Sequence, residues 1–382
     1  MYDGGAGRTL VDAEEADFCI DLEGASYVIV RNLRLTKSNR HALNIKNAHH
    51  IVVEDCEIFA WGKPGFYCEG STGVRRRDGA VYVAASQQIV VQHNTIRDPR
   101  GNSCDWRTAH PNGPRGIFYD DTVKQTVFRY NRITGSPDHY YDDVLTSGTD
   151  GSGSDLDIYG NELSHAWDDG IEIEGPNKNI RVWNNVVRHV FQALASDNNK
   201  WTYYGPVYIW RNIFTDLHAR PAEPGGLSTG RGFKLENREG RGGMYIFNNT
   251  LLGAGQHLSP VGAISNGPQF NLVALNNIFD TEKGQIHDKV ESGSLFDHNG
   301  YSVPRSEKVQ GGWEAGGLFE AGFSYEHTGG WDYQLKPGSA GKDAGVRINN
   351  FADAFQGEAP DLGAAEAGAW RMRVGPHADK EE

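Results

Sequence analysis

No stretch of this chain reaches the ~18 to 20 consecutive apolar residues that a membrane span needs. The basic excess that a nucleic acid or anionic membrane would call for is also missing. Lys and Arg number 37 against 50 Asp and Glu, giving a net charge of −13 and a pI near 5.5. Neither kind of partner is expected. Cysteine is scarce, four in 382 residues. Cys19, Cys56, Cys68 and Cys104 show no CxxC spacing, which argues against a zinc site. Cys68 in FYCEG and Cys104 in GNSCDW lie in Gly-rich loop sequence, where a disulfide and two free thiols are both acceptable. The opening MYDGGAGRTLVD has no charged-then-apolar leader. That fits a cytosolic protein or one whose leader lies outside this sequence. Methionine falls to 3 while Gly reaches 48, and the apolar segments are short. This balance favours strands and turns over helices.

What is present is a repeat. IVVQHNTI (89–96), TVFRYNRI (126–133), LDIYGNEL (156–163), IRVWNNVV (180–187), VYIWRNIF (207–214), MYIFNNTL (244–251) and VALNNIF (273–279) are β-branched and aromatic runs with period-2 alternation. Each carries Asn two places before its last apolar residue. These are Asn94, Asn131, Asn161, Asn185, Asn212, Asn249 and Asn277, followed by Asn299 in LFDHNGY. Cys56 and Leu33 hold the Asn place in the earlier copies IVVEDCEI and VIVRNLRL. A shortest period of 22 with variable insertions marks a solenoid. In a parallel β-helix each coil's short strands bond to the coils above and below, ~4.8 Å away. An Asn at the same corner of every coil can then reach the backbone of the next. The alternative, an antiparallel sandwich of Asn-rich hairpins, is disfavoured because hairpins need no fixed corner residue.

The corner-Asn repeat and the closing LKPGSAGKDAG…APDLGA resemble the right-handed parallel β-helix proteins of the pectate-lyase-like superfamily. The expected organisation is a short N-terminal cap (1–17), an all-β right-handed parallel β-helix of about ten coils with an Asn ladder (18–303), a closing segment over the last coil (304–372) and a disordered tail (373–382). The resemblance implies a polysaccharide or oligosaccharide substrate and an extracellular or periplasmic location. It does not name the reaction.

Strand alternation assigns faces. In GIEIEG, Ile171 and Ile173 point inward, so Glu172 and Glu174 point outward. GFKLEN turns Phe233 and Leu235 in and Lys234 and Glu236 out, and GIFYDD turns Asp120 out. FQALAS, between them, leaves a depression at Ala193 and Ala195. Asp142 and Asp143 precede their strand as Asp168 and Asp169 precede theirs one coil later, so stacking brings two acidic pairs within roughly 5 to 10 Å. Carboxyls ~5 Å apart suit a retaining glycosidase and ~6.5 to 9.5 Å an inverting one. Crowding raises one pKa and so supplies the acid.

YYDD (140–143), WDDG (167–170) and GRGFK (230–234) partly resemble the pattern of polygalacturonase-like hydrolases. By that resemblance Asp143 and Asp169 are base and acid, Asp168 supports them, and Arg231 and Lys234 bind substrate without any cofactor; Glu172, outward on the next strand, is a further catalytic candidate. The family's Gly-His-Gly motif is absent; His165 is one substitute. A second reading is a Ca²⁺-dependent lyase, with Glu174, Glu236 and Asp120 as metal ligands and Lys234 or Arg231 as base. A third is a non-catalytic glycan-binding β-helix. A solvated face with Lys234 paired across coils is the bland alternative for the glutamates, and corner capping for the aspartates. Aromatic residues in the insertions, including Tyr141 and Trp201, together with Trp167, are expected to wall a sugar-binding groove beside Asp142.

Overall fold

The computed structural model describes the chain except residues 6, 70–76, 149–151, 198–203, 218–219, 222–226, 229, 238, 240, 254–261, 265–267, 282–289, 308, 310, 370 and 380–382. Its described part is a parallel β-helix with three long sheets running along the coil axis, of eleven, nine and eleven strands. Each sheet takes every third strand in chain order or nearly so. Within these sheets the paired neighbours are parallel, as in Val81↔Ile117 and Val182↔Ile209. No described helix is long and apolar enough to cross a membrane.

Alternation puts one residue in two into the interior, and in-register stacking makes columns of like side chains. In the first sheet Val53, Val91, Phe128, Ile158, Val182 and Ile209 lie one above another, and all are fully buried. Burial of each such side chain contributes about 1.5–3 kcal/mol, which offsets the ordering of short strands that would not persist alone.

The asparagines form the expected ladder at the corner between the two eleven-stranded sheets. Asn185 is typical. Its Nδ2 donates to Asn212 Oδ1 at 3.0 Å and to Ile158 O at 2.9 Å, while its Oδ1 accepts from Asn161 N at 3.1 Å and Nδ2 at 2.9 Å. Cys56 joins from the Asn place through its backbone N–H to Asn94 Oδ1, 3.0 Å. The far end is closed by Glu314, which accepts from Asn299 Nδ2 at 2.9 Å.

Both ends differ from expectation. Residues 1–17 are no separate cap: Tyr2–Asp3 and Thr9–Asp12 pair with Val30–Arg31 and Leu33–Thr36 as part of a first coil. After the last coil, capped where Tyr301 N donates to Leu318 O at 2.8 Å, the chain returns along the asparagine corner. Asn248 Nδ2 donates to Asp361 O (3.2 Å), Gly363 N to Asn276 O (2.8 Å) and Gly375 N to Gly160 O (2.9 Å). The 373–382 segment, expected to be disordered, packs as far as it is described: Pro376 O lies 2.9 Å from His93 Nδ1. Backbone carbonyls left at the corner draw it in, a demand that composition does not reveal.

Candidate active site

The nine-stranded sheet carries the acidic residues. Leu145, Ile171, Leu194 and Phe233 align as its inward column, and Thr146, Glu172, Ala195 and Lys234 as the adjacent outward one. Ala195 separates Glu172 from Lys234, and its small side chain leaves the two long ones room to approach. Just ahead of these strands the coils turn, and there the two Asp pairs stack: Asp168 N donates to Asp142 O at 3.0 Å and Val144 N to Asp169 O at 3.0 Å.

Asp142, Asp143, Asp168, Asp169, Glu172, Glu174 and Lys234 line one cavity of about 270 Å³. Its remaining walls are Glu69, Arg77, His110, Pro111, Asn112 and Arg115. The disulfide Cys68–Cys104 ties together the two loops that form its mouth. Arg77 Nε donates to Asn112 Oδ1 there, 3.2 Å. The floor is nearly dry: Asp143 is 2 % exposed, Asp169 1 % and Asp168 6 %.

Four groups hold the acids in position. Arg115 donates from Nε and Nη2 to Asp142 Oδ2 (3.1 and 3.0 Å) and from Nη2 to Asp143 Oδ2 (3.1 Å). Gln192 Nε2 donates to Asp169 Oδ1 (2.8 Å) and Asp168 Oδ1 (3.2 Å). Thr146 Oγ1 donates to Glu172 Oε2 (2.7 Å). Lys234 Nζ lies 2.9 Å from Glu174 Oε1 and 4.0 Å from Asp169 Oδ2.

Burial and mutual repulsion keep these carboxyls from ionising in the usual range. Burial, then the charges of Asp142 and Glu172, push Asp168 up to about 8 against the pull of Lys234. Glu172 is also pushed up to about 8, by burial, then by the charge of Asp143, with which it shares a hydrogen bond. Burial followed by a neighbouring Asp raises Asp143 and Asp169 well above the carboxylate range. Lys234 shows the converse. Burial opposes its charge, but Asp169, Glu174, Asp168 and Glu172 together outweigh it and raise the amine. Oxygens of Asp143, Asp168 and Asp169 converge within 4.8 Å of one another, and His110, Asp142 and Asp168 do likewise. The first of these sets, all oxygen, suits a hard divalent cation such as Ca²⁺.

A family model described as a right handed beta helix region matches residues 18–278. The chain belongs to the right-handed β-helix family. Among solved structures, the crystal structure of pectate lyase Pel9A is similar over 94 % of this chain and 86 % of that one, with a TM-score of 0.55 and 13 % identity. That likeness is one of fold. No curated protein matches the chain.

On this right-handed β-helix several expected site residues fall elsewhere. Tyr141 is fully buried, and its ring faces Trp61 at 6.1 Å. Trp167 stacks on Tyr140 at 4.4 Å beside the cavity without lining it. His165 turns the next corner against His189, ring centroids 5.0 Å apart. Arg231 follows Gln192 in register, outside the cavity lining. The ligand set Glu174, Glu236 and Asp120 does not assemble. Asp120 accepts from Asp121 N at 2.9 Å, Glu236 lies one strand repeat beyond Lys234, and only Glu174 reaches the cavity. Trp201 lies outside the described residues.

Arg115, His110, Glu69, Arg77 and Asn112 were not anticipated. A signal for Arg115 existed: it stands two places before Ile117, as Asp143 does before Leu145 and Asp169 before Ile171. The loop residues carry no comparable register.

Proposed function

We propose that the protein is a cation-dependent polysaccharide lyase that cleaves a uronic-acid polymer by β-elimination. The observation that carries this reading is the convergence of Asp143, Asp168 and Asp169 within 4.8 Å, with the Lys234 amine 4.0 Å from Asp169. An inverting hydrolase needs carboxyls ~6.5 to 9.5 Å apart, with water and sugar between them, and a retaining one uses a single pair ~5 Å apart rather than three acids. Three oxygens crowded on one point leave no such space. The lining also has seven carboxyl groups against Arg77, Arg115 and Lys234, a balance that repels an anionic sugar until a cation offsets it. Bound by Asp143, Asp168 and Asp169, with Glu172 beside them, Ca²⁺ would neutralise these acids and the substrate carboxylate and so acidify the C5 proton.

In this reading Lys234 takes the C5 proton, since burial favours its neutral form once the surrounding negative charge is offset. The electron pair of the C5–H bond forms the C4=C5 double bond, and the C4–O bond breaks. His110, half-exposed at the mouth with Nε2 3.8 Å from Asp168, is suited to give the leaving oxygen its proton. Arg115 and Gln192 orient the acids. The Cys68–Cys104 disulfide supports an extracellular or periplasmic location. The solved neighbour is itself a pectate lyase; the likeness agrees with the reading, which rests on the carboxylates.

Hydrolysis is the second reading. It is favoured by the hydrogen-bonded Asp143–Glu172 pair, in which one carboxyl keeps a proton. The test is incubation with polygalacturonate and other uronic-acid polymers. The lyase reading expects an unsaturated, ultraviolet-absorbing product that chelator abolishes and Ca²⁺ restores. New reducing ends without that absorbance select hydrolysis. Neither signal across the panel leaves a glycan-binding β-helix.

A further inference from the structure

The asparagine corner lies opposite the acidic sheet. Each coil turns through a residue of positive φ just ahead of its ladder asparagine. The two adjacent coils use Asn184 and Asn248 (both φ 50°), while others use His93 (φ 57°), Tyr130 (φ 53°) and His298 (φ 50°). Asparagine tolerates that left-handed conformation better than a long side chain does. Arg211 adopts it at φ 52° and lies half-buried beside the returning C-terminal segment.

Arg211 faces a groove of about 640 Å³ whose walls include Phe351, Phe355, Asn350 and Gln356. Sites for small ligands span ~300 to 1,000 Å³. Among the described residues no group hydrogen-bonds or ion-pairs with its guanidinium. The two nearby carboxylates are engaged elsewhere. Glu366 accepts from Gln356 N and Asp361 N, both 3.0 Å. Asp353 accepts from Arg347 Nε at 2.9 Å and from Asn350 N. Burial lowers the Arg211 pKa, with only the charge of Glu366 opposing. A cation in such a setting gains from a matching anion.

We propose that this groove is a second saccharide site, remote from the acidic cleft, in which Arg211 holds the carboxylate of a uronic-acid residue beside Phe351 and Phe355. Arginine matches a carboxylate with two parallel N–H donors. The aromatic walls suit the apolar face of a sugar ring, and Asn350 and Gln356 suit its hydroxyls. The choice of an acidic sugar rests on the lyase reading; the cation, the walls and the volume do not.

The test is calorimetric titration of the full chain with galacturonate, galactose and acetate, in chelator so that the acidic cleft repels the anions. Galacturonate is expected to bind wild type, with galactose and acetate each weaker by roughly tenfold or more. Arg211→Asn, the residue that adjacent coils already use, is expected to weaken galacturonate by roughly tenfold while leaving the cleavage rate unchanged. Absence of galacturonate binding, equal binding by Arg211→Asn, or acetate binding as tightly as galacturonate overturns the inference. Arg211-dependent binding without any unsaturated product refutes the lyase reading alone. Arg211-independent binding beside active cleavage refutes this inference alone.

Discussion

The backbone N–H of Asp169 donates to the carboxylate of Asp143 one coil away, 3.1 Å. Twenty-six residues of chain separate the two, and the coil repeat alone brings them together. The contact fixes two acids closer than their charges favour. Asp169→Asn keeps an acceptor for Gln192 and removes one charge. Turnover is expected to fall by about 10²- to 10⁴-fold, while thermal stability in chelator rises at alkaline pH, where the buried carboxyl would otherwise be driven to ionise. Product absorbance and a melting curve measure the two effects. Undiminished turnover would remove Asp169 from the chemistry.

The raised carboxyls make stability depend on pH. Asp168 and Glu172 leave ordinary values of 3.8 and 4.5 for about 8. Between roughly pH 4 and pH 8 the folded chain therefore holds protons that the unfolded chain has lost, and stability falls as pH rises through that window. Each group contributes up to about 1.4 kcal/mol per pH unit. In chelator the melting temperature is expected to be lower at pH 8 than at pH 5, and Ca²⁺ is expected to narrow the gap by binding the ionised acids. A flat profile in chelator would show that the acids ionise without strain.

Lys234 separates a base from a mere counter-charge. Lys234→Ala is expected to cost at least about 10²-fold in turnover. Lys234→Arg keeps a cation against Glu174 and Asp169, but a guanidinium does not give up its proton near neutrality. It is expected to be as inactive as the alanine variant. Substantial activity in the arginine variant would mean that position 234 supplies charge and nothing more.

Strand period and coil register made much of this legible before any coordinates. The ladder asparagines were fixed by their place in each run, and Cys56 by standing where an Asn belonged. Glu172 and Lys234 share a face because parity and stacking leave them one arrangement, and Asp143 and Asp169 join them because the coil repeat stacks the turns that precede their strands. Tyr141, at the same turn, lies in the interior instead. Asp120 and Glu236 share the outward face and strand level of Glu174, but of the three only Glu174 lines the cavity. Glu69, Arg77 and His110 come from insertions of irregular length, whose path over the cleft follows from packing and the Cys68–Cys104 bond. No periodicity constrains such loops.

Arg115 is the cation on which the first Asp pair depends. It is 5 % exposed, donates three bonds to Asp142 and Asp143 and lies over the Phe118 ring at 4.7 Å. Removing one partner of a buried ion pair leaves the other without compensation, at about 3–5 kcal/mol. The orphaned carboxylates can escape that cost by taking up protons, which is easy at pH 5 and costly at pH 8. Arg115→Gln is therefore expected to lose about 3–5 kcal/mol at pH 8 and distinctly less at pH 5, measured by urea unfolding in chelator. An equal loss at both pH values would assign the effect to lost packing on Phe118, because only the charge pairing responds to protons.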